Sequence, residues 1–183
     1  KKVDLSSANE IKSKAFSNAK NLEEVKLSNN IKYIGESAFE DTEKLKKIDL
    51  KNVKTIDNRA FKNSGLETID LKNVTKISEN AFENVKFTKL TLLKFNNKIS
   101  IGKQAFKNAE FKSNAEIDFN NQESTIGNEA FYGIKNVEQI KNGNQVTSVG
   151  NKAFAKSSLS DNNLTKENTF PNATEFGEDV FAA

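Results

Sequence analysis

The chain of 183 residues has no cysteine, no histidine, no methionine and no tryptophan, and only one proline. Arg59 is its single arginine. Each gap excludes something. Without Cys there is neither a disulfide framework nor a zinc–thiolate site. Without His the usual general base is missing, and with it any Ser-His-Asp or Cys-His arrangement. No phosphate-cradling Gly-x-x-x-x-Gly-Lys run occurs. The expectation is a protein that is not an enzyme, with no catalytic residues, no metal site and no cofactor. A phosphate-binding surface recruits Arg for bidentate contacts. Here the net charge is only +3 and Lys is interspersed with Asp and Glu, so nucleic acid is not an expected partner. No apolar run approaches the roughly 18 residues of a membrane span, so this segment is not expected to insert into a bilayer. The chain opens Lys1-Lys2, without Met or a signal-peptide pattern. That start reads as a mature or excised segment of a longer chain.

What is present is a repeat. The phrase apolar-x-x-x-small-Phe begins at Ile11, Ile34, Ile56, Ile77, Ile101, Ile126, Val149 and Phe176. It ends at Phe16, Phe39, Phe61, Phe82, Phe106, Phe131, Phe154 and Phe181, in steps of 23, 22, 21, 24, 25, 23 and 27 residues. Eight of the 14 Phe thus share one repeat position, which rules out chance. A second phrase, Leu-x-x-Ile-x-Leu, lies between the copies at Leu22-Val25-Leu27, Leu45-Ile48-Leu50 and Leu66-Ile69-Leu71, and Phe87-Leu90-Leu92 repeats its spacing. A third apolar position, Ile31, Val53, Val74 and Val146, precedes the next phrase.

A period of this length signals a solenoid, in which each unit buries its apolar face against its neighbours. The hydrophobic fraction of 36% is low for a globule but suffices for one narrow core. Period-2 alternation at Val25 and Leu27 predicts a half-buried strand, with counterparts around Ile48, Ile69 and Leu90. Val3 and Leu5 predict the strand of an incomplete first coil. With no hairpins between them, the strands stack in parallel, about 4.8 Å apart. Gly35, Asp57, Ser78, Gly102, Gly127, Gly150 and Gly177 follow the phrase's first residue and suit a helical N-cap. They predict a short helical or 3₁₀ turn ending in Ala-Phe. Asn18, Asp41, Asn63, Asn84, Asn108 and Gly133, two residues after the Phe, suit the left-handed end of such a turn. These Asn residues read as turn geometry, not ligands. The array is less regular after Leu92, where the extra residues, including those between Phe111 and Ile117, are expected in edge loops. Ser157–Asn168 reads as a polar loop.

The unit resembles the BspA-like, or treponemal-type, leucine-rich repeat. Ile34-Gly35-Glu36-Ser37-Ala38-Phe39 and Ile126-Gly127-Asn128-Glu129-Ala130-Phe131 match that family's Ile-Gly-x-x-Ala-Phe residue for residue. The family's Cys position is filled by Ala19, Thr42, Ser64, Val85, Ala109, Ile134 and Ser157, and its strand-ending Pro survives only as Pro171. The resemblance implies an α/β repeat solenoid: a right-handed leucine-rich-repeat array of about eight repeats over residues 1–183. Its Leu-x-x-Ile-x-Leu strands would form a parallel concave β-sheet, with the Val-x-x-Ile-Gly segments opposite. Many similar proteins are bacterial surface or secreted proteins, and some act in adhesion.

On that architecture the outward ladder of the concave sheet is the candidate binding face. It reads Lys26, Asp49, Asp70, Thr91, Asp118 and Lys141, flanked by Glu24, Lys47, Thr68, Lys89, Glu116 and Gln139. Neighbouring coils often set opposite charges side by side, at about 0.2 to 1 kcal/mol per pair. Asp49 and Asp70 together fall short of the six to eight oxygens that calcium takes. Tyr33, Tyr132 and Leu93 are the large residues expected at the surface. The resulting expectation is a cell-surface or secreted module that binds a host or other extracellular protein, or a glycan, in adhesion. The alternative is a spacer that displays other domains and has no ligand of its own.

Overall fold

An Ile recurring once per coil can stack on its own copies, and the computed structural model, which describes residues 1–183, shows that it does. Seven short parallel strands form one continuous sheet: Tyr33–Ile34, Thr55–Ile56, Lys76–Ile77, Ser100–Ile101, Ser124–Ile126, Val146–Val149 and Glu175–Phe176. Ile34, Ile56, Ile77, Ile101, Ile126, Val149 and Phe176 are in direct register along it, and Ile11 joins through a bridge to Ile34. The chain is a parallel β-solenoid of eight coils, with one apolar core of 48 buried residues.

The Phe of every phrase enters that core. The eight rings form an unbroken column, with successive centroids 5.0–5.7 Å apart and planes within 23° of parallel. The six interior rings, Phe39 to Phe154, are fully buried. Stacked pairs of this kind contribute about 0.5–1.5 kcal/mol beyond the area they bury.

The segment ending in Ala-Phe is not a helical turn. Its odd and even amides have different destinations. In the first coil Ala15, Ser17 and Ala19 donate to the carbonyls three residues back, at 3.1–3.2 Å. Lys14, Phe16 and Asn18 instead donate to Glu36, Ala38 and Glu40 of the next coil, at 2.8–2.9 Å. The same three inter-coil bonds recur at all seven junctions. A helix sends every amide back into its own chain, so it could not make them. The chain alternates hands instead, with φ near +60° two residues before the Phe and again two residues after it. An i→i+3 bond with positive φ at its third residue is the type II turn pattern. The only α-helix is Lys166–Thr169, at the end of the expected polar loop, where Thr165 and Asn168 form a capping box. The glycine after the Ile is likewise not a helix cap. A Cβ on Gly102 would lie 2.9 Å from the backbone of Ser78 and Glu79, and on Gly150 it would lie 2.4 Å from Asn128 N. Glycine lets adjacent coils approach. Asp57 and Ser78, which carry side chains there, make slightly longer amide bonds to the preceding coil, 3.0 and 2.9 Å against 2.7 Å for Gly102.

The leucine side also departs from expectation. Lys2–Leu5 pairs in parallel with Glu24–Leu27, as the alternation predicted. The segments around Ile48 and Ile69 then form no strand, and the amides of residues 47–50 and 68–71 have no backbone partner. The continuous sheet therefore lies on the Val-x-x-Ile side. Pairing resumes on the leucine side with Lys86–Phe87, Leu92–Lys94, Glu110–Asp118 and Lys135–Lys141.

The fourth coil takes a different frame from Phe87-Leu90-Leu92. Leu90, Leu93 and Phe95 are buried, while Leu92 is exposed. The Leu-x-x-Ile-x-Leu spacing is met by Leu90-Leu93-Phe95, so Leu93 is a core residue. Most of the extra residues are not an edge loop: Leu92–Lys94 and Glu110–Asp118 are strands, while residues 96–98 stay outside them, largely exposed. Phe111 lies in register with Phe87, rings 5.5 Å apart, inside the core. In coil six Asn142 occupies an apolar position. Phe170, returning from the last coil, is fully buried and packs 5.8 Å from Phe119 and 5.9 Å from Phe154. Gly143 leaves room for it, since a Cβ there would meet the Phe170 ring at 2.8 Å.

Candidate binding surface

Asp4, Asp49, Asp70 and Asp118 each end a leucine-side segment, and each carboxylate accepts from the amide two residues on. The donors are Ser6, Lys51, Lys72 and Asn120, at 2.9, 3.0, 3.0 and 2.7 Å. These are Asx turns. One oxygen of each aspartate is thereby committed to bending the chain out of the segment. At Asp4 the hydrogen bonds from Ser6, helped by Lys26, hold the carboxyl below its ordinary value.

The six residues of the expected ladder do not form one row. Lys26 and Asp49 line a shared groove of about 510 Å³ between the second and third leucine-side segments. The groove's floor holds Val25 and Ile48, and Glu24 and Lys47 lie on its wall. Asp70 lies one coil further on, exposed and in no strand register. Asp118 and Lys141 are register partners; Asn142 Nδ2 donates to Asp118 Oδ1 at 2.9 Å, and Lys141 pairs with Glu116 at 3.0 Å. Thr91 stands outside the row. Lys94 is the residue opposite Asp118, because the fourth coil's frame is shifted by three residues.

Beside the groove lies an open charged depression of about 670 Å³ lined by Lys2, Glu23, Glu24, Lys44, Lys46, Lys47, Glu67 and Lys89. Lys2 pairs with Glu24 at 3.3 Å and Lys89 with Glu67 at 3.5 Å. Lys44, Lys46 and Lys47 form no ion pair. They leave a local excess of positive charge next to the groove.

The sequence reading missed a second surface. The outward row of the continuous sheet is Tyr33, Thr55, Lys76, Ser100, Thr125, Ser148 and Glu175. Its signal was the hydroxyl residue just before the phrase in five of these seven coils: Tyr33, Thr55, Ser100, Thr125 and Ser148. Tyr33 is 44% exposed and its hydroxyl donates to Asp57. That bond, with partial burial and the Asp57 charge, pushes the Tyr33 pKa up to about 12. The left-handed Asn residues form an amide ladder: Asn63 Nδ2 donates to Asp41 Oδ1 at 2.8 Å, and Asn84 Nδ2 to Asn63 Oδ1 at 2.9 Å. They hold turns together, as expected. No helix is long and apolar enough to cross a membrane.

Stacked coils, a register-locked Ile column and a Phe column define a leucine-rich-repeat solenoid, a class that functions as a repeat protein-interaction module. The BspA type leucine rich repeat region family matches in six copies, over residues 1–112 and 99–183. The chain belongs to that family. No curated protein and no solved structure matches it.

Proposed function

We propose that the chain is a non-enzymatic binding module of a bacterial cell-surface or secreted protein. It engages an extracellular protein partner, in adhesion, through the leucine side of its first coils. The observation that carries this reading is the groove holding Lys26 and Asp49 beside the unpaired Lys44, Lys46 and Lys47. Backbone amides 47–50 there are not used by a ladder, and Lys47 and Asp49 among them are exposed to a partner. The charge excess favours an acidic partner surface, since complementary potentials set partner choice and association rate. The face lacks the Trp and Arg that usually anchor hot spots, which fits a polar contact spread over several coils.

A pull-down against extracellular proteins, followed by titration of the captured partner, tests this. Reversing Lys44, Lys46 and Lys47 to Glu is expected to weaken binding at least about tenfold. Reversing Asp49, Asp70 and Asp118 together probes the rest of the face. Full binding after both sets of reversals would move the site elsewhere. The spacer reading draws on the Asx turns, which give Asp49, Asp70 and Asp118 a purely structural task. The absence of any captured partner would favour it.

A further inference from the structure

The corner that leads into the continuous sheet changes shape along the array. In coils five and six one exposed residue stands between two buried ones: Ser100 between Ile99 and Ile101, and Thr125 between Ser124 and Ile126. In coils two, three and four two consecutive residues reach the surface: Lys32-Tyr33, Lys54-Thr55 and Thr75-Lys76. Lysine takes one of the two places each time. Lys54 N donates to the Lys32 carbonyl at 2.8 Å and Lys76 N to the Lys54 carbonyl at 3.3 Å, so the three lysines sit on successive strands. Such strands lie about 4.8 Å apart.

This row of charge is not neutralised from within. Lys32, Lys54 and Lys76 are exposed and form no ion pair. The two carboxylates whose charges act on the neighbouring Tyr33 are engaged elsewhere: Asp57 with the Tyr33 hydroxyl and the Asn58 amide, and Glu36 with Arg59. Like charges on neighbouring strands repel, and the fold does not require them. Thr75 follows Lys54 in the next coil, and Ser100 follows Lys76 in register. From Lys76 the outward row continues as neutral hydroxyls, Ser100, Thr125 and Ser148. A shallow hollow of about 390 Å³ lies among Thr75, Ser100, Thr125 and Thr147, and Ile99 is the one apolar residue in its lining.

We propose that this face of the continuous sheet binds a sulfated polysaccharide, laid across the coils. Its sulfates meet Lys32, Lys54 and Lys76. Its hydroxyls exchange hydrogen bonds with Ser100 and Thr125, and a sugar ring packs on the exposed ring of Tyr33. Three cations on three successive strands call for a closely spaced row of anions, which a sulfated chain supplies. The adjoining hydroxyls call for a partner that is itself dense in hydroxyls, which an acidic protein surface is not. The face is separate from the leucine-side groove and owes nothing to it.

Isothermal titration of the 183-residue chain with a size-defined heparin oligosaccharide tests this. The expected result is saturable binding that weakens as salt rises. Lys32→Thr, Lys54→Thr and Lys76→Ser together should raise Kd at least about tenfold. These are residue types that the same rows carry in other coils, and circular dichroism verifies the fold. Lys54→Thr alone should give a smaller loss in the same direction. Ser100→Ala with Thr125→Val should weaken binding without changing its salt dependence. Lys44→Gln, Lys46→Gln and Lys47→Gln, on the leucine side, should leave it unchanged. Polyglutamate should bind at least about tenfold more weakly than heparin. A chain that does not bind heparin would overturn the proposal. So would binding indifferent to the Lys32, Lys54 and Lys76 substitutions, binding lost with the leucine-side lysines instead, or polyglutamate that binds as tightly.

Discussion

Residues at one repeat position meet different fates depending on one hydrogen bond. Thr42 and Ser157 point inward after the Phe, and their hydroxyls donate to the Phe39 and Phe154 carbonyls, both at 2.6 Å. Ser64 occupies the same position, but its buried hydroxyl has no partner. Leaving a buried polar group unpaired costs about 1–3 kcal/mol. Ser64→Ala is therefore expected to stabilise the chain by about 1 kcal/mol, read as a higher midpoint in urea. A midpoint lowered by Ser64→Ala would contradict the orphaned hydroxyl. Tyr33 supplies a pH dependence. Its folded pKa lies above the ordinary tyrosine value because the neutral hydroxyl donates to Asp57. The folded state therefore holds this proton more tightly than the unfolded state. That contribution is fully present below about pH 10 and is lost as pH rises through about 12. Absorbance titration in a Tyr132→Phe background should show the late phenolate, and Tyr33→Phe should remove it. The left-handed residues divide by legibility. Asn18, Asn63 and Asn108 announce themselves by type. Lys14, Arg59, Gln104 and Glu129 have equally positive φ and share no chemistry. Their backbone is set by the neighbouring coil's carbonyl, and nothing in their side chains encodes it.

At the scale of one element, the Phe column is the strongest sequence signal and the main structural support. Phe106→Ala is expected to cost about 3–5 kcal/mol, since an interior ring leaves a cavity. Phe16→Ala, at a half-exposed end, should cost well under half as much. A loss below about 1 kcal/mol for Phe106→Ala in chemical denaturation would contradict its burial. The column was readable because one residue type repeats at one spacing. The fourth leucine-side segment was not. Leu90, Leu92, Leu93 and Phe95 satisfy two frames locally, and the choice between them is made by pairing with Glu116, Ile117 and Asp118 of the next coil. The turn segment misled for a related reason. Gly, small residues and Asn suit a capped helix and a chain of type II turns equally well. The inter-coil amides decide between them, and a single copy does not display them.

At the scale of the whole molecule, the repeat count, the stacking and the family were legible in the sequence. Which side carries the continuous sheet was not. The Val-x-x-Ile strands are two to four residues long, too short for alternation to show. The leucine phrase alternates clearly, yet around Ile48 and Ile69 it builds no strand. The candidate face inherited that difference. Lys26 with Asp49 and Asp118 with Lys141 come together, while Thr91 gives its place to Lys94.

The division of amides has a consequence that can be read with a clock. Within each turn segment, alternate amides depend on different events. Those of Ala105, Lys107 and Ala109 are held by their own coil, whereas those of Gln104, Phe106 and Asn108 are held by the coil that follows. If coils separate from an end before they melt, deuterium should enter every second position of the outermost turns first. An end-to-end gradient should appear in one set of positions and a flatter profile in the other. Uniform exchange across both sets would mean that the solenoid opens as a single unit.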